Sequence, residues 1–141
     1  MIILDTNVAS ELMRPVPNER VVAWVDRQAA NETYLTAITV AELLYGVGRL
    51  ADGRRKAELA SLIDAMVAED YDGQVAPFDE VAAGHYADIV VQRERLGRPI
   101  GMADAQIAAI CRSYDATLVT RNVDDFEHTL VTIVDPWKVS D

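Results

Sequence analysis

Short apolar runs alternate with longer amphipathic stretches along this chain. The apolar runs are short enough to be buried strands, and we assign them to residues 2–5, 34–36, 74–77, 116–120 and 131–134. The stretches between them have helical spacing, and we assign them to residues 6–13, 18–30, 39–51, 54–69, 80–96 and 102–114. Short strands separated by helices predict a three-layer α/β/α domain with a central, mostly parallel sheet of about five strands.

The helix predicted over residues 39–51 has the clearest apolar stripe. Its apolar residues follow the i, i+3, i+4, i+7 pattern of one helix face, at Val40, Leu43, Leu44 and Val47. A second boundary signal is Asp79, a residue type that caps helix N-termini, directly before the helix predicted over residues 80–96. These signals predict helices that bury one face against the sheet.

Length and composition predict one domain over residues 1–141. No repeat, low-complexity run or Pro/Gly/Ser-rich linker divides the chain, and half of its residues are hydrophobic. The N-terminus has no basic region followed by an apolar segment, so we expect a cytoplasmic protein. Cys111 is the only cysteine, which excludes an internal disulfide and a cysteine-based zinc site.

The charge balance is strongly acidic, with a net charge of −10 from 23 acidic and 13 basic residues. A protein that coats nucleic acid over a broad surface would be basic, so this class is disfavoured. An enzyme that binds phosphate through a metal ion and a few arginines remains possible. An acidic surface also suits a basic protein partner.

Three carboxylates, Asp5, Glu42 and Asp104, lie in the opening turns of predicted helices. Asp5 stands at the carboxyl end of the first predicted strand, and ligands of open α/β sheets bind at that edge. Carboxylates gathered there repel one another unless a cation lies among them. A hard divalent ion prefers oxygen ligands, so this pattern indicates a metal site.

Helix capping is the alternative explanation for each of these acids. The segment Thr39-Val40-Ala41-Glu42 fits a capping box. Asp5 could cap the helix that follows it, and Asp104 could favour a helix N-terminus through the macrodipole. Two of the acids follow predicted strands and would face one sheet edge, which favours the metal site. A helix precedes Asp104, so local spacing does not place it in the same cluster.

A polar segment, Thr120-Arg121-Asn122-Val123-Asp124-Asp125, begins at the carboxyl end of the strand predicted over residues 116–120. Its side chains could join the same crevice. An ordinary turn rich in Asn and Asp explains the same residue types equally well.

Four segments together resemble the PIN-domain ribonucleases, and more narrowly the VapC/FitB-type toxins of type II toxin–antitoxin systems. The segments are Met1-Ile2-Ile3-Leu4-Asp5-Thr6-Asn7, Thr39-Val40-Ala41-Glu42-Leu43, Ala103-Asp104-Ala105-Gln106-Ile107-Ala108-Ala109 and Thr120-Arg121-Asn122-Val123-Asp124-Asp125-Phe126. They occur in the family's order and span the whole chain. The resemblance implies a metal-dependent endoribonuclease that uses Mg²⁺ or Mn²⁺.

The resemblance also implies roles for individual residues. Asp5, Glu42 and Asp104 would be the core metal ligands, with Asn7 orienting Asp5 and Thr120 helping to hold the attacking water. The family usually takes a fourth acid from the final loop. Because position 122 is Asn, Asp125 is the first choice for that acid and Asp124 the second.

Two arginines lie close in sequence to the proposed site, and the resemblance implies the substrate and the partners. Arg98 and Arg121 are candidates for binding phosphate, because a guanidinium fork matches phosphate geometry, and Asn122 is a further substrate-binding candidate. The implied partners are an RNA substrate, a small cognate antitoxin with a basic DNA-binding part, and a second copy of the chain. His85 and His128 are the only histidines, and we expect surface or packing roles for both.

Two other classes of protein remain open at this point. A phospho-accepting receiver domain has a similar size and an acidic crevice, but it needs adjacent acids after the first strand and a lysine after the last. Here Thr6-Asn7 follows Asp5, and Lys138 comes late in the chain. The other class is a catalytically inactive PIN-fold binding module, which the Asn at position 122 would suit.

Overall fold

Five short parallel strands form the centre of the protein, in a computed structural model that describes residues 1–139. They are β1 (Ile2–Leu4), β2 (Thr33–Thr36), β3 (Val75–Ala76), β4 (Thr117–Val119) and β5 (Ile133–Val134). Their order across the sheet is β3-β2-β1-β4-β5, and each pair of neighbours is parallel. The predicted parallel α/β/α architecture is confirmed.

Six α-helices connect and cover the strands. They are α1 (Thr6–Leu12), α2 (Glu19–Asp26), α3 (Ala37–Gly48), α4 (Arg54–Ala65), α5 (Glu80–Arg95) and α6 (Met102–Ser113). Short 3-10 turns span Ala30–Glu32 and Val123–Phe126, and a π-helical turn spans Met66–Asp70. Of the helices in the described part of the chain, none has the length and apolar character to cross a membrane.

Side-chain alternation along the strands divides the core into two layers. Ile3 and Leu118 face the layer that includes α5 and α6. Leu4, Leu35 and Val119 face the opposite layer, where α1, α2, α4 and much of α3 pack. Because successive residues of a strand point to opposite faces, one short apolar run serves both layers.

Some predicted boundaries are wrong. Helix α2 ends at Asp26 rather than at residue 30, because the chain turns and forms a 3-10 turn before β2. Helix α4 ends at Ala65 and continues only as a π-helical turn. Leu44 was expected on the buried stripe of α3, but its side chain is 47% exposed while its neighbour Leu43 is buried.

The strand order places a crevice between the carboxyl ends of β1 and β4. The chain moves to one side of β1 through β2 and β3, and to the other side through β4 and β5. Ligands of open α/β sheets bind at such a switch point. The order also differs from the 2-1-3-4-5 order of receiver-like domains, so the receiver alternative is wrong.

Candidate active site

Asp5 lies at the carboxyl end of β1, where its backbone N–H donates to the Val119 carbonyl at the end of β4, and only 3% of its surface is exposed. Its Oδ1 accepts a hydrogen bond from the Thr6 backbone N–H at 2.8 Å, which caps α1. Its Oδ2 accepts from the Thr120 hydroxyl at 2.7 Å and from Asn7 Nδ2 at 3.1 Å. Burial raises the pKa of Asp5, these hydrogen bonds oppose the rise, and the charge of Glu42 adds to it. One carboxylate oxygen therefore caps the helix, and polar side chains orient the other.

Thr120 follows β4, and its hydrogen bond to Asp5 connects the carboxyl ends of β4 and β1. Its buried hydroxyl oxygen also accepts from Asn7 Nδ2 at 3.2 Å and from the Asn122 backbone N–H at 3.0 Å. The Asn7 side-chain oxygen in turn accepts from the Arg121 backbone N–H at 3.2 Å. Asn7 and Thr120 thus both contact Asp5, and their catalytic roles remain predictions.

Glu42 lies beyond the first turn of α3, and the predicted capping box is wrong. The helix begins at Ala37, because the Thr36 hydroxyl at the end of β2 accepts from the Thr39 backbone N–H at 3.0 Å and caps it. Glu42 Oε1 instead accepts from the Thr6 hydroxyl at 2.7 Å. This contact holds Glu42 beside the start of α1, next to Asp5.

Asp104 joins the other acids through the fold rather than through local sequence. It is the third residue of α6, whose N-cap Gly101 offers no side chain to the helix. Burial raises the pKa of Asp104 to about 6, with the charges of Asp5, Asp125 and Glu42 adding to that effect. The four carboxylates are therefore electrostatically coupled at one end of the sheet.

The 3-10 turn Val123–Phe126 carries both candidates for the fourth acid. Of the two, Asp125 is the one whose charge raises the pKa of Asp104. Asn122, Asp124 and Asp125 are all exposed, so the charge interaction with Asp104 is what separates the two acids. This geometry favours Asp125, the first choice from the sequence, and its role remains a prediction.

The donor atoms fit a hard divalent cation. Among residues 1–139, no three His, Cys, Asp or Glu side chains form a preassembled set of metal ligands. Mg²⁺ does not need one, because it keeps several waters and uses one or two carboxylates together with substrate phosphates. All the donors are oxygens, and burial together with repulsion among the carboxylates raises the pKa of Asp104. A divalent cation would bind these oxygens and offset their repulsion.

The two arginines predicted to bind phosphate have different surroundings. Arg98 Nη1 pairs with Glu127 Oε2 at 2.7 Å, so a phosphate would have to compete with this carboxylate. The Arg121 guanidinium lies 4.9 Å from the centre of the Trp137 ring, and its backbone is bonded to Asn7. Arg121 is therefore the better placed of the two to reach a ligand in the crevice.

Sequence reasoning missed two side chains that support the acids. The Thr6 hydroxyl contacts Glu42, and the only signal was a polar residue directly after Asp5. Arg93, in the last turn of α5, is only 4% exposed. A basic residue at the end of a helix is ordinary, so nothing in the sequence marked Arg93 as buried.

Comparisons with known proteins agree with this geometry. The family model of the PIN domain matches residues 2–129. The toxin FitB of Neisseria gonorrhoeae is 42% identical over 137 residues, which cover 97% of this chain and 99% of FitB. The VapC ribonuclease Y4jK of Sinorhizobium fredii is 39% identical over 138 residues, which cover 98% of this chain and 99% of that protein.

Solved structures similar to the chain are FitAB and VapBC toxin–antitoxin complexes. In the structure of FitAB bound to the IR36 DNA fragment, the matching chain has a TM-score of 0.92 and 40% sequence identity. The match covers 100% of this chain and 99% of that chain. The sheet order, the four coupled carboxylates and these matches lead to one conclusion: the chain belongs to the PIN-domain family.

Proposed function

We propose that the chain is a metal-dependent endoribonuclease and the toxin of a toxin–antitoxin pair. Relatives named as a toxin and as a ribonuclease support the toxin and the RNA substrate. The observation that carries the proposal is the convergence of Asp5 and Glu42, both bonded to Thr6, with Asp104, whose pKa burial and the nearby carboxylates raise to about 6. At neutral pH the ionised carboxylates repel one another and lower the stability of the folded protein. A bound cation would offset this repulsion.

Asp5, Glu42, Asp104 and Asp125 would hold Mg²⁺ or Mn²⁺. When bound, the ion would lower the pKa of a water molecule and stabilise charge on the scissile phosphate. The chain's own part is to fix the acids. Thr120 and Asn7 orient one oxygen of Asp5.

Two further side chains complete the proposed site. Thr6 holds Glu42 beside Asp5 through its hydroxyl group. Arg121 follows Thr120, and its guanidinium lies over the Trp137 ring, where it could pair with an RNA phosphate. RNA binding through the metal and a few such contacts, rather than through a broad basic surface, fits a chain that carries a net charge of −10.

The proposed partners are a small antitoxin and a second copy of the chain. The proposed location of the protein is the cytoplasm. The similarity to FitAB and VapBC complexes supports the antitoxin. A net charge of −10 suits a basic antitoxin segment laid across the acidic crevice. A complex of this kind should be inactive, because the segment would occupy the site of the metal or the substrate.

RNA cleavage by the purified protein tests the proposed function. We expect cleavage with Mg²⁺ or Mn²⁺ that stops in excess EDTA. An Asp104→Asn preparation, purified in parallel, controls for contaminating nuclease and should be inactive. Cleavage that persists in EDTA would refute the metal mechanism, whereas RNA binding without cleavage would identify an inactive PIN-fold binding module.

Three conservative variants separate a metal site from helix capping. Asn caps a helix about as well as Asp, and Gln can still accept the hydrogen bond from Thr6, so purely structural roles predict that Asp5→Asn, Asp104→Asn and Glu42→Gln leave cleavage unchanged. The metal site predicts that all three lower cleavage by orders of magnitude. Wild-type cleavage in all three would refute the metal site and leave these acids with structural roles alone.

A further inference from the structure

Arg93 is a buried cation that forms no ion pair with any carboxylate of residues 1–139. Its side chain is only 4% exposed. Burying a charge without a counter-ion is unfavourable unless hydrogen bonds compensate for the lost water. The bonds that Arg93 makes are therefore informative.

Three backbone carbonyls compensate for the buried charge. Arg93 Nε donates to the Arg98 carbonyl at 2.6 Å, and Nη1 donates to the carbonyls of Asp125 and Glu127 at 2.9 Å each. The Arg98 backbone N–H returns a bond to the Arg93 carbonyl at 2.9 Å. Hydrogen bonds from an ionised donor are roughly twice as strong as neutral ones.

These carbonyls belong to the two segments that carry Asp104 and Asp125. Arg98 lies in the connection from α5 into α6, which begins two residues before Asp104. Asp125 and Glu127 lie in and directly after the 3-10 turn Val123–Phe126. A single side chain thus joins the end of α5, the connection that leads into α6, and the final loop.

The planar fork of an arginine is suited to this task, whereas lysine is not. Nε and Nη1 point in different directions and bond separate segments at the same time. A lysine has one nitrogen on a flexible stem and cannot reproduce this fixed geometry. The positive charge of Arg93 also lowers the pKa of Asp104, so it lies close enough to offset part of the repulsion among the acids.

We propose that Arg93 is a positioning residue of the acidic site, fixing the segments that carry Asp104 and Asp125 relative to each other. This inference rests on the proposed function, because it assumes that both carboxylates bind the same metal ion. Groups behind metal ligands commonly change metal affinity or activity by about 10- to 100-fold when they are removed. We expect an effect of that size from Arg93.

The test compares Arg93→Gln and Arg93→Lys with Arg95→Gln, which removes an exposed arginine two residues away. Isothermal titration with Mn²⁺ measures affinity, and NMR-detected amide exchange measures the order of residues 98–104 and 123–127. We expect Arg93→Gln to bind Mn²⁺ about 10- to 100-fold more weakly and to exchange faster in both segments. In Arg93→Gln the turnover number kcat should fall while the KM for RNA changes little. The control Arg95→Gln should match the wild type.

Arg93→Lys should lose nearly as much Mn²⁺ affinity as Arg93→Gln, and it carries the test if Arg93→Gln does not fold. Wild-type Mn²⁺ affinity in both folded variants, with only a lower melting temperature, would assign Arg93 a purely structural role and overturn the inference. Full affinity in Arg93→Lys alone would contradict the argument from the fork. A wild-type protein that neither binds Mn²⁺ nor cleaves RNA would refute the proposed function instead. In that case, amide exchange in Arg93→Gln would still show whether Arg93 orders residues 98–104 and 123–127.

Discussion

Replacing Asp104 with Asn should stabilise the metal-free protein at neutral pH. The pKa of this carboxyl rises from 3.8 to about 6 on folding, so the folded state binds more protons than the unfolded state between these values. The free energy of unfolding therefore falls as the pH rises through this window, and the full penalty applies above pH 6. A difference of about 2 in pKa corresponds to roughly 3 kcal/mol at 1.36 kcal/mol per unit. Solvent around this half-buried carboxyl lowers the penalty below that figure.

The neutral Asn removes this penalty and also removes a favourable interaction with the α6 macrodipole, worth about 0.3–1 kcal/mol. We therefore expect a net gain of about 2 kcal/mol at pH 7.5 that vanishes near pH 4. Urea unfolding in EDTA at both pH values measures it. The matched control is Glu80→Gln, which removes an acid from the first turn of α5, away from the site, and should only destabilise.

The same variant should lose its response to metal. An ion that binds only the folded state stabilises it by about 2.7 kcal/mol at 100 times its Kd. We expect this gain with Mn²⁺ in the wild type and in Glu80→Gln, and its loss in Asp104→Asn. If Asp104→Asn is less stable than the wild type at pH 7.5, or if the difference does not depend on pH, the electrostatic reasoning is wrong.

Further predictions concern the support of Asp5, the fourth acid and the antitoxin. Thr120→Val removes a buried donor at 2.7 Å from Asp5 and should lower kcat by about 10- to 100-fold, whereas Thr33→Val, which removes a buried hydroxyl at the opposite end of the sheet, should leave kcat unchanged. Asp125→Asn should abolish cleavage and Asp124→Asn should not; the reverse order would move the fourth acid to position 124. A basic antitoxin encoded beside the gene should bind and inhibit in a co-purification assay, and a neighbour that does neither would remove the support for the toxin.

The parts of the site that depend on neighbouring residues in the chain could be predicted from the sequence. An apolar run followed directly by an acid and a helix placed Asp5 at the carboxyl end of a strand, and the structure confirms that position. Glu42 was expected in the metal cluster, with a capping box starting at Thr39 as the alternative because the spacing fits. The structure shows that Thr36 caps α3 from the end of β2, which moves the helix start two residues earlier than predicted.

Long-range contacts could not be predicted in the same way. Asp104 reaches the other acids only because β4 lies beside β1, and no local spacing encodes that neighbour. Arg93 has the composition of an ordinary helix end, and its burial depends on carbonyls that are up to 34 residues away. The resemblance to the PIN family identified Asp104 as a candidate metal ligand from the sequence, whereas Arg93 was recognised only in the structure.

A crystal structure with Mn²⁺, with its position fixed by anomalous scattering, tests the central claim most directly. The account predicts an anomalous peak in the crevice between β1 and β4, bound by the carboxylates of Asp5 and Asp104, with Glu42 and Asp125 close by. The peak should disappear in Asp104→Asn crystals grown under the same conditions. A wild-type protein that cleaves RNA in Mn²⁺ but shows no peak in this crevice, or a peak elsewhere, would contradict the account.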